Sequence, residues 1–127
     1  LPDETQINNW VGNDLVRARV NGSNWQFEIK QVTSQSRVYK QSLHQFFREY
    51  LPLTPVSGEF EVAIKILINP DFPQIDVDNV AKAVLDGVKG RVFIDDCQIM
   101  RLLVEKEFAT EEKIEIAIWR RENKGYN

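Results

Sequence analysis

Cysteine and histidine are almost absent from this 127-residue chain, which has one of each, Cys97 and His44. A lone thiol cannot build an internal disulfide framework, and one thiol with one imidazole gives too few donors for a zinc site. Any metal held here must be held by oxygen. Long apolar runs are missing as well, and none approaches the roughly 20 residues that a membrane-crossing helix needs. No membrane partner is expected. The sequence shows no signal-peptide pattern, which with the single thiol sets the expectation of a reducing, cytoplasmic compartment. Internal repeats, low-complexity tracts and long linkers are also absent. The rest is 43% hydrophobic, with three Trp, three Tyr and seven Phe spread along the chain. That is too much apolar material for disorder, and enough for one core but hardly two, so residues 1–127 read as a single domain.

The formal net charge of -3 hides a division along the chain. Between positions 13 and 48, Arg17, Arg19, Lys30, Arg37, Lys40 and Arg48 face only Asp14 and Glu28. From position 51 onward acids outnumber bases, and Asp76, Asp78, Asp86, Asp95 and Asp96 crowd into one short stretch. A basic first part and a clustered acidic second part suit an anionic partner and a bound cation respectively. The acidic total is therefore weak evidence against an anionic substrate.

Hydrophobic periodicity gives an α+β reading, a mixed or antiparallel sheet packed with two main helices. Residues 14–20 alternate, with Leu15, Arg17 and Arg19 on one side and Val16, Ala18 and Val20 on the other. Asn21, Gly22, Ser23 and Asn24 then suit a turn, and residues 25–32 alternate again, which predicts a hairpin. Over residues 36–50, Tyr39, Leu43, Phe46, Phe47 and Tyr50 recur at helical steps. Phe60, Val62, Ile64, Ile66 and Ile68 share one face of a strand over residues 59–68. A second helix is expected over residues 77–89, with Val77, Val80, Ala81, Val84, Leu85 and Val88 as its stripe and Gly90 as a left-handed cap. Gly87 inside it costs about 1 kcal/mol relative to alanine. Strands over 98–108 and 113–120 are expected to pair as a hairpin and to bury Met100, Leu102, Val104, Phe108, Ile114, Ile116 and Ile118.

Chemistry concentrates in the second helix and in the stretch up to the next strand. On a helical wheel with Asp78 at zero, Lys82, Asp86 and Asn79 fall within about 100°, opposite the apolar stripe at roughly 200–340°. Asp76 stands at the expected N-cap, where a carboxylate accepts a free backbone N–H. Asp95 and Asp96 come after an apolar run and before a strand, and a strand returning from the helix is expected to bring this second pair beside the first. Bare clustered carboxylates raise one another's pKa; a hard divalent cation relieves that. Mg²⁺ takes oxygen ligands and keeps waters, so a few carboxylates and a substrate phosphate suit it, with Lys82 adding charge against a developing phosphorane. Each residue also has a plain structural use: Asp76 as a cap, Asp78 and Lys82 as a surface ion pair, Asp95 and Asp96 as a turn. Spacing alone leaves a metal site and a solvated acidic surface equally open.

The order D-x-D-N, a lysine four residues after the second aspartate, L-D shortly after, then D-D-x-Q-[IV] is present as Asp76, Asp78, Asn79, Lys82, Leu85, Asp86, Asp95, Asp96, Gln98 and Ile99. It resembles the signature of the RusA family of Holliday-junction resolvases, over about residues 59–119. The resemblance implies a small homodimeric Mg²⁺-dependent endonuclease, with Mn²⁺ as a possible substitute, that cuts four-way DNA junctions and uses no small-molecule cofactor. It assigns metal binding and catalysis to Asp76, Asp78 and Asp96, a catalytic role to Lys82, and a lesser metal-binding role to Asp95. Asn79, Asp86 and Gln98 match the motif and are expected to position the others. The loop at positions 69–75 lacks the arginine cluster of some members, so Arg17, Arg19, Arg37 and Lys40 are the expected phosphate contacts. Phe72 is a candidate wedge against an unstacked base, with core packing as its plain alternative. Trp10, Trp25 and Trp119 are expected to be packing or dimer-interface residues rather than stacking platforms, His44 to take no part in catalysis, and Cys97 to be an unreactive, partly buried thiol. The rival readings are a nuclease for other branched DNA and a non-catalytic binding or dimerisation module of the same fold.

Overall fold

The structure, a computed structural model, describes residues 9–72 and 74–122. Six strands form one mixed sheet: β1 (Val11–Gly12), β2 (Val16–Asn21), β3 (Asn24–Ile29), β4 (Phe60–Ile68), β5 (Ile99–Phe108) and β6 (Lys113–Arg120), in spatial order β1-β2-β3-β6-β4-β5. Two helices, α1 (Arg37–Glu49) and α2 (Val77–Val88), cover one face. The expected α+β architecture is present. Among the described residues no helix is long and apolar enough to cross a membrane.

Alternation sets which side of each strand meets the helices. Val16 and Ala18 of β2, Phe27 and Ile29 of β3, and all five apolar positions expected of β4 are buried. Asn21 pairs with Asn24 across the two-residue turn, and Gly22 at φ 61° supplies the left-handed conformation that the tight hairpin needs. Against the sheet α1 buries Tyr39, Leu43, Phe46 and Phe47, while α2 buries Val80, Ala81, Val84 and Val88. Tyr50, expected in the α1 stripe, is instead exposed and stacks on Phe46 with ring centroids 5.9 Å apart. Gly87 has a packing reason for its helical cost. A Cβ there would lie 2.6 Å from Leu43 Cδ1, so the glycine lets α1 and α2 approach.

The last two strands differ from expectation. They form no hairpin with each other; β6 runs antiparallel to β4 on one side and β5 runs parallel to β4 on the other. Ile114, Ile116 and Ile118 of β6 are buried and pair with Ile66, Ile64 and Val62, a centre position that suits a strand with one wholly apolar face. β5 carries Arg101, Glu105, Lys106 and Glu107 and takes the edge, as charged strands do. Consequently Met100, Leu102 and Phe108, expected in the core, are 51%, 43% and 66% exposed, and only Val104 packs partly against it.

β4, α2 and β5 thus form a parallel crossover unit. α2 begins where β4 ends and finishes where β5 begins. The two helices run the same way, since Ser36 lines a cavity with Asp76 and Asn79 while Leu43 meets Gly87 and the Arg91 guanidinium lies over Phe47. No helix among the described residues covers the other face of the sheet, which carries Arg17, Arg19, Gln26 and Glu28 in cross-strand rows.

Candidate functional site

One acidic group stands at the start of α2. Asp76 is its N-cap as expected, and its Oδ1 accepts the backbone N–H of Asp78 at 3.0 Å. The free amides of the first turn favour negative charge there. Asp78 and Asn79 lie on the outer side of this turn, and a shallow cavity of about 120 Å³ beside them is lined by Thr33, Ser34, Ser36, Gln74, Asp76 and Asn79. Lys82 is exposed one turn further on and, among the described residues, makes no salt bridge. The routine ion pair with Asp78 is therefore not formed, and its ammonium is free for another anion.

The second group stands at the opposite end of α2. Asp95 leads into a single 3₁₀ turn (Asp96–Gln98) that opens β5. Gln98 pins this turn through both ends of its side-chain amide. Its Oε1 accepts the N–H groups of Ile94 at 2.7 Å and Asp95 at 3.0 Å, and its Nε2 donates to the carbonyls of Val56 and Gly58, both at 3.0 Å. Asp95 is already occupied: hydrogen bonds from the Cys97 thiol and from Lys89, whose Nζ lies 3.3 Å from Oδ1, hold its carboxyl below the usual range. The same contacts push the Lys89 ammonium up and the Cys97 thiol up. Cys97 is exposed rather than partly buried, but Asp95 keeps it in the unreactive protonated form.

Asp96 is different. Its Oδ1 is shut off from solvent and, among the described residues, has no hydrogen-bond partner. Burial raises its pKa above the usual carboxyl value, the neighbouring charges of Asp86 and Asp95 add to that, and Lys89 opposes it. An unpartnered, desolvated carboxylate oxygen beside other acids is chemically suited to a cation. Asp86, on the last turn of α2, belongs to this second group by its electrostatic coupling to Asp96; its backbone carbonyl lies 3.3 Å from His44 Nε2.

The returning strand does not bring the two groups together. α2 has 12 residues, about 18 Å at 1.5 Å per residue, and the groups occupy its two ends. Among the described residues no three His, Cys, Asp or Glu side chains lie close enough to hold one metal ion. The reason is topological: a parallel crossover starts its second strand at the far end of the helix, so Asp96 returns beside Asp86 rather than beside Asp76.

The expected basic residues also divide. Arg37 and Lys40 lie at the start of α1, the end that also carries Asp76 and Asp78. Arg37 sits where a helix dipole disfavours a cation, a local cost suggestive of another use. Arg17 and Arg19 lie on the helix-free face, where Arg17 pairs with Glu28 at 3.1 Å and Arg19 Nε donates to Gln26 Oε1 at 2.6 Å. Phe72 is half-buried and packs against the core, the plain alternative to a wedge. Two participants escaped the sequence reading. Lys89 is held by Asp95 through the fold of the 89–95 turn, and Trp10 lies under two guanidinium groups because β1 pairs with β2.

A model of the family described as Endodeoxyribonuclease RusA matches residues 16–119. No curated protein matches the chain. The matched stretch runs from the first residue of β2 almost to the end of β6 and contains both acidic groups, Lys82 and Gln98. The chain belongs to the RusA endodeoxyribonuclease family.

Proposed function

We propose that the protein is a Mg²⁺-dependent endonuclease of four-way DNA junctions, formed by residues 1–127 as one domain and acting as a homodimer. Each active site would take Asp76, Asp78 and Lys82 from one subunit and Asp96, with Asp95 beside it, from the other. The observation that carries this reading is the separation of two acidic groups within one chain, each chemically fit for a cation and each incomplete alone.

The free edge of β5 suggests how two copies meet. Among the described residues it exposes Met100, Leu102, Leu103 and Phe108 along a ladder that no other strand pairs, a combination that favours pairing with another strand. Antiparallel pairing about a two-fold axis at Leu103 or Val104 sets Arg101 opposite Glu105 of the partner subunit or Glu107 of the partner subunit respectively. Both registers match opposite charges. The start of one β5 then lies beside the end of the other. Lys106, near the end of β5, donates to the carbonyl of Ile75 at 3.3 Å, so that end adjoins Asp76. Asp96 of the partner subunit would thereby approach Asp76 and Asp78.

The residues present fit a hard divalent ion. All donors are carboxylate oxygens, and among the described residues Asp96 Oδ1 has no hydrogen-bond partner. When bound, Mg²⁺ or Mn²⁺ supplies Lewis-acid charge that lowers the pKa of water and offsets charge on phosphoryl oxygens. Lys82, free of any carboxylate among the described residues, adds its ammonium to the phosphate undergoing displacement. Gln98 keeps Asp96 in place, Asp76 both caps α2 and presents its remaining oxygen, and Asn79 stands ready as a neutral donor beside them. Arg37 and Lys40 flank the same end and would hold neighbouring phosphates. A reducing, cytoplasmic setting belongs to the same proposal and is supported by the single free thiol. The experiment is cleavage of a synthetic four-way junction with Mg²⁺: Asp78→Asn should abolish cutting and preserve binding. Unsubstituted protein that binds junctions yet never cuts with Mg²⁺ or Mn²⁺ would overturn the proposal in favour of a binding module.

A further inference from the structure

The helix-free face of the β2–β3 hairpin holds a built cluster that the cleavage chemistry does not use. β1 pairs with β2 so that Val11 faces Ala18 and Gly12 faces Arg17, which carries Trp10 back over the hairpin. The Arg17 and Arg19 guanidinium groups lie 4.4 and 4.6 Å from the Trp10 ring centroid. This indole is only half-buried and takes no part in the core, unlike Trp25. On the other side of Arg19, toward the hairpin turn, is a surface cavity of about 260 Å³ lined by Arg19, Asn21, Asn24 and Gln26. Cross-strand register sets Arg19 opposite Gln26 and Asn21 opposite Asn24, so all four side chains share this face.

The donor set narrows the ligand. Arg19 Nε is committed to Gln26 Oε1, which leaves its terminal amino groups and the Gln26 amide nitrogen free, while the Asn21 and Asn24 side chains make no hydrogen bond among the described residues. The Asn21 and Asn24 amides offer paired donors and acceptors and the Gln26 amide adds a donor, the pattern that reads the edge of a nucleobase. The Arg19 plane, set against Trp10, supplies a stacking surface for its face. The cavity, just below the roughly 300–1,000 Å³ of pockets for drug-sized ligands, has room for a single planar ring. Duplex DNA cannot present a ring in this way, because its bases are stacked and their edges paired.

We propose that this face binds one unpaired nucleobase of the DNA substrate, stacked on the Arg19 guanidinium that Trp10 holds in place and hydrogen-bonded by Asn21, Asn24 and Gln26. Its biological meaning rests on the branched-DNA reading above, in which a base pair opened at the branch point would present such a base. Its test does not need cleavage. In EDTA, a short single-stranded oligodeoxynucleotide is titrated into the ¹⁵N-labelled full chain, with Trp10→Phe assigning the Trp10 indole signal among the three indoles. The Trp10 indole and the side-chain amide signals of Asn21, Asn24 and Gln26 should move together. Arg19→Ala and, separately, Asn24→Ala should each weaken binding, the former by about 5- to 100-fold given the usual contribution of one stacked base, and Trp10→Ala should weaken it less, through the loss of support for Arg19. Three results would overturn the proposal: no movement of these signals, movement confined to the α2 or β5 surface, or equal movement with a duplex of the same sequence. Loss of junction cutting with these shifts intact would instead count against the nuclease reading alone.

Discussion

Replacing Gln98 by glutamate changes one atom and separates the two halves of the clamp that holds the Asp95–Asp96 turn. The two acceptor contacts, to the N–H groups of Ile94 and Asp95, survive and gain from a charged acceptor. The two donor contacts, from Nε2 to the carbonyls of Val56 and Gly58, are lost, and a carboxylate oxygen is pressed against two carbonyl oxygens. Each neutral hydrogen bond contributes about 1 kcal/mol net, so losing two costs about 2 kcal/mol, partly offset by the strengthened acceptors. A net loss of about 1–2 kcal/mol at pH 7 results, which lowers a urea midpoint by about 0.5–1 M for a domain of this size. The pH dependence carries a sign. The new carboxyl is destabilised when ionised, so its folded pKa is raised; its penalty is absent below the unfolded value near 4.3 and grows as pH rises through the folded value. Gln98→Glu should therefore approach the wild-type stability as the solution is acidified, because a protonated carboxyl regains a donor. Urea unfolding monitored by tryptophan fluorescence at pH 7 and pH 4 measures both effects. Equal stability at pH 7, or a larger deficit at pH 4, would refute the clamp.

Three further outcomes rest on particular contacts. Gly87→Ala gains about 1 kcal/mol of helix propensity but drives a Cβ into the fully buried Leu43, an overpacking cost of about 1–3 kcal/mol, so thermal unfolding should show a net loss of about 1 kcal/mol; a more stable variant would mean α1 and α2 do not approach as described. Asp96→Asn removes a carboxyl whose folded pKa is raised, so without metal it should melt higher than wild type at pH 7, with the gap closing as pH falls through the raised value and gone below the ordinary value of 3.8; a lower melting temperature at pH 7 would contradict the electrostatics of the acidic turn. Arg101→Glu removes an exposed ion pair with Glu61 worth about 0–1 kcal/mol, and in either β5–β5 register sets the new carboxylate opposite an acid, Glu105 of the partner subunit or Glu107 of the partner subunit. Light scattering should report a monomer, and an unchanged dimer would move the interface elsewhere.

The elements themselves were legible in the sequence because period-2 and period-3.6 patterns report directly which side of a strand or helix is buried. Val16, Ala18, Phe60, Ile64, Val84 and Ile116 all lie where alternation puts them. Strand order was not legible, since the pattern of β5 does not say which neighbour it has. Met100, Leu102 and Phe108 read as core residues for a physical reason: an edge strand that offers apolar side chains to another surface carries the same alternation as one that packs inside. Motif spacing named the acidic residues and missed their separation. The signal was nevertheless available, because a helix of 12 residues between Asp76 and Asp95 sets an axial distance far beyond the reach of two ligands on one ion. Trp10 was opaque for a different reason. Its placement over Arg17 and Arg19 depends on the two-residue strand β1, too short to leave a periodic trace.

Mixing two inactive variants tests the shared active site most directly. Asp78→Asn and Asp96→Asn proteins are each inactive in junction cleavage under the proposal, and after subunit exchange half of the dimers carry both lesions in one site and none in the other. About a quarter of the wild-type sites should then be intact, so Mg²⁺-dependent nicking should return to roughly that fraction while paired cutting stays absent. If both ligand groups served one site within a single chain, every subunit would keep its own lesion and the mixture would remain as inactive as its components.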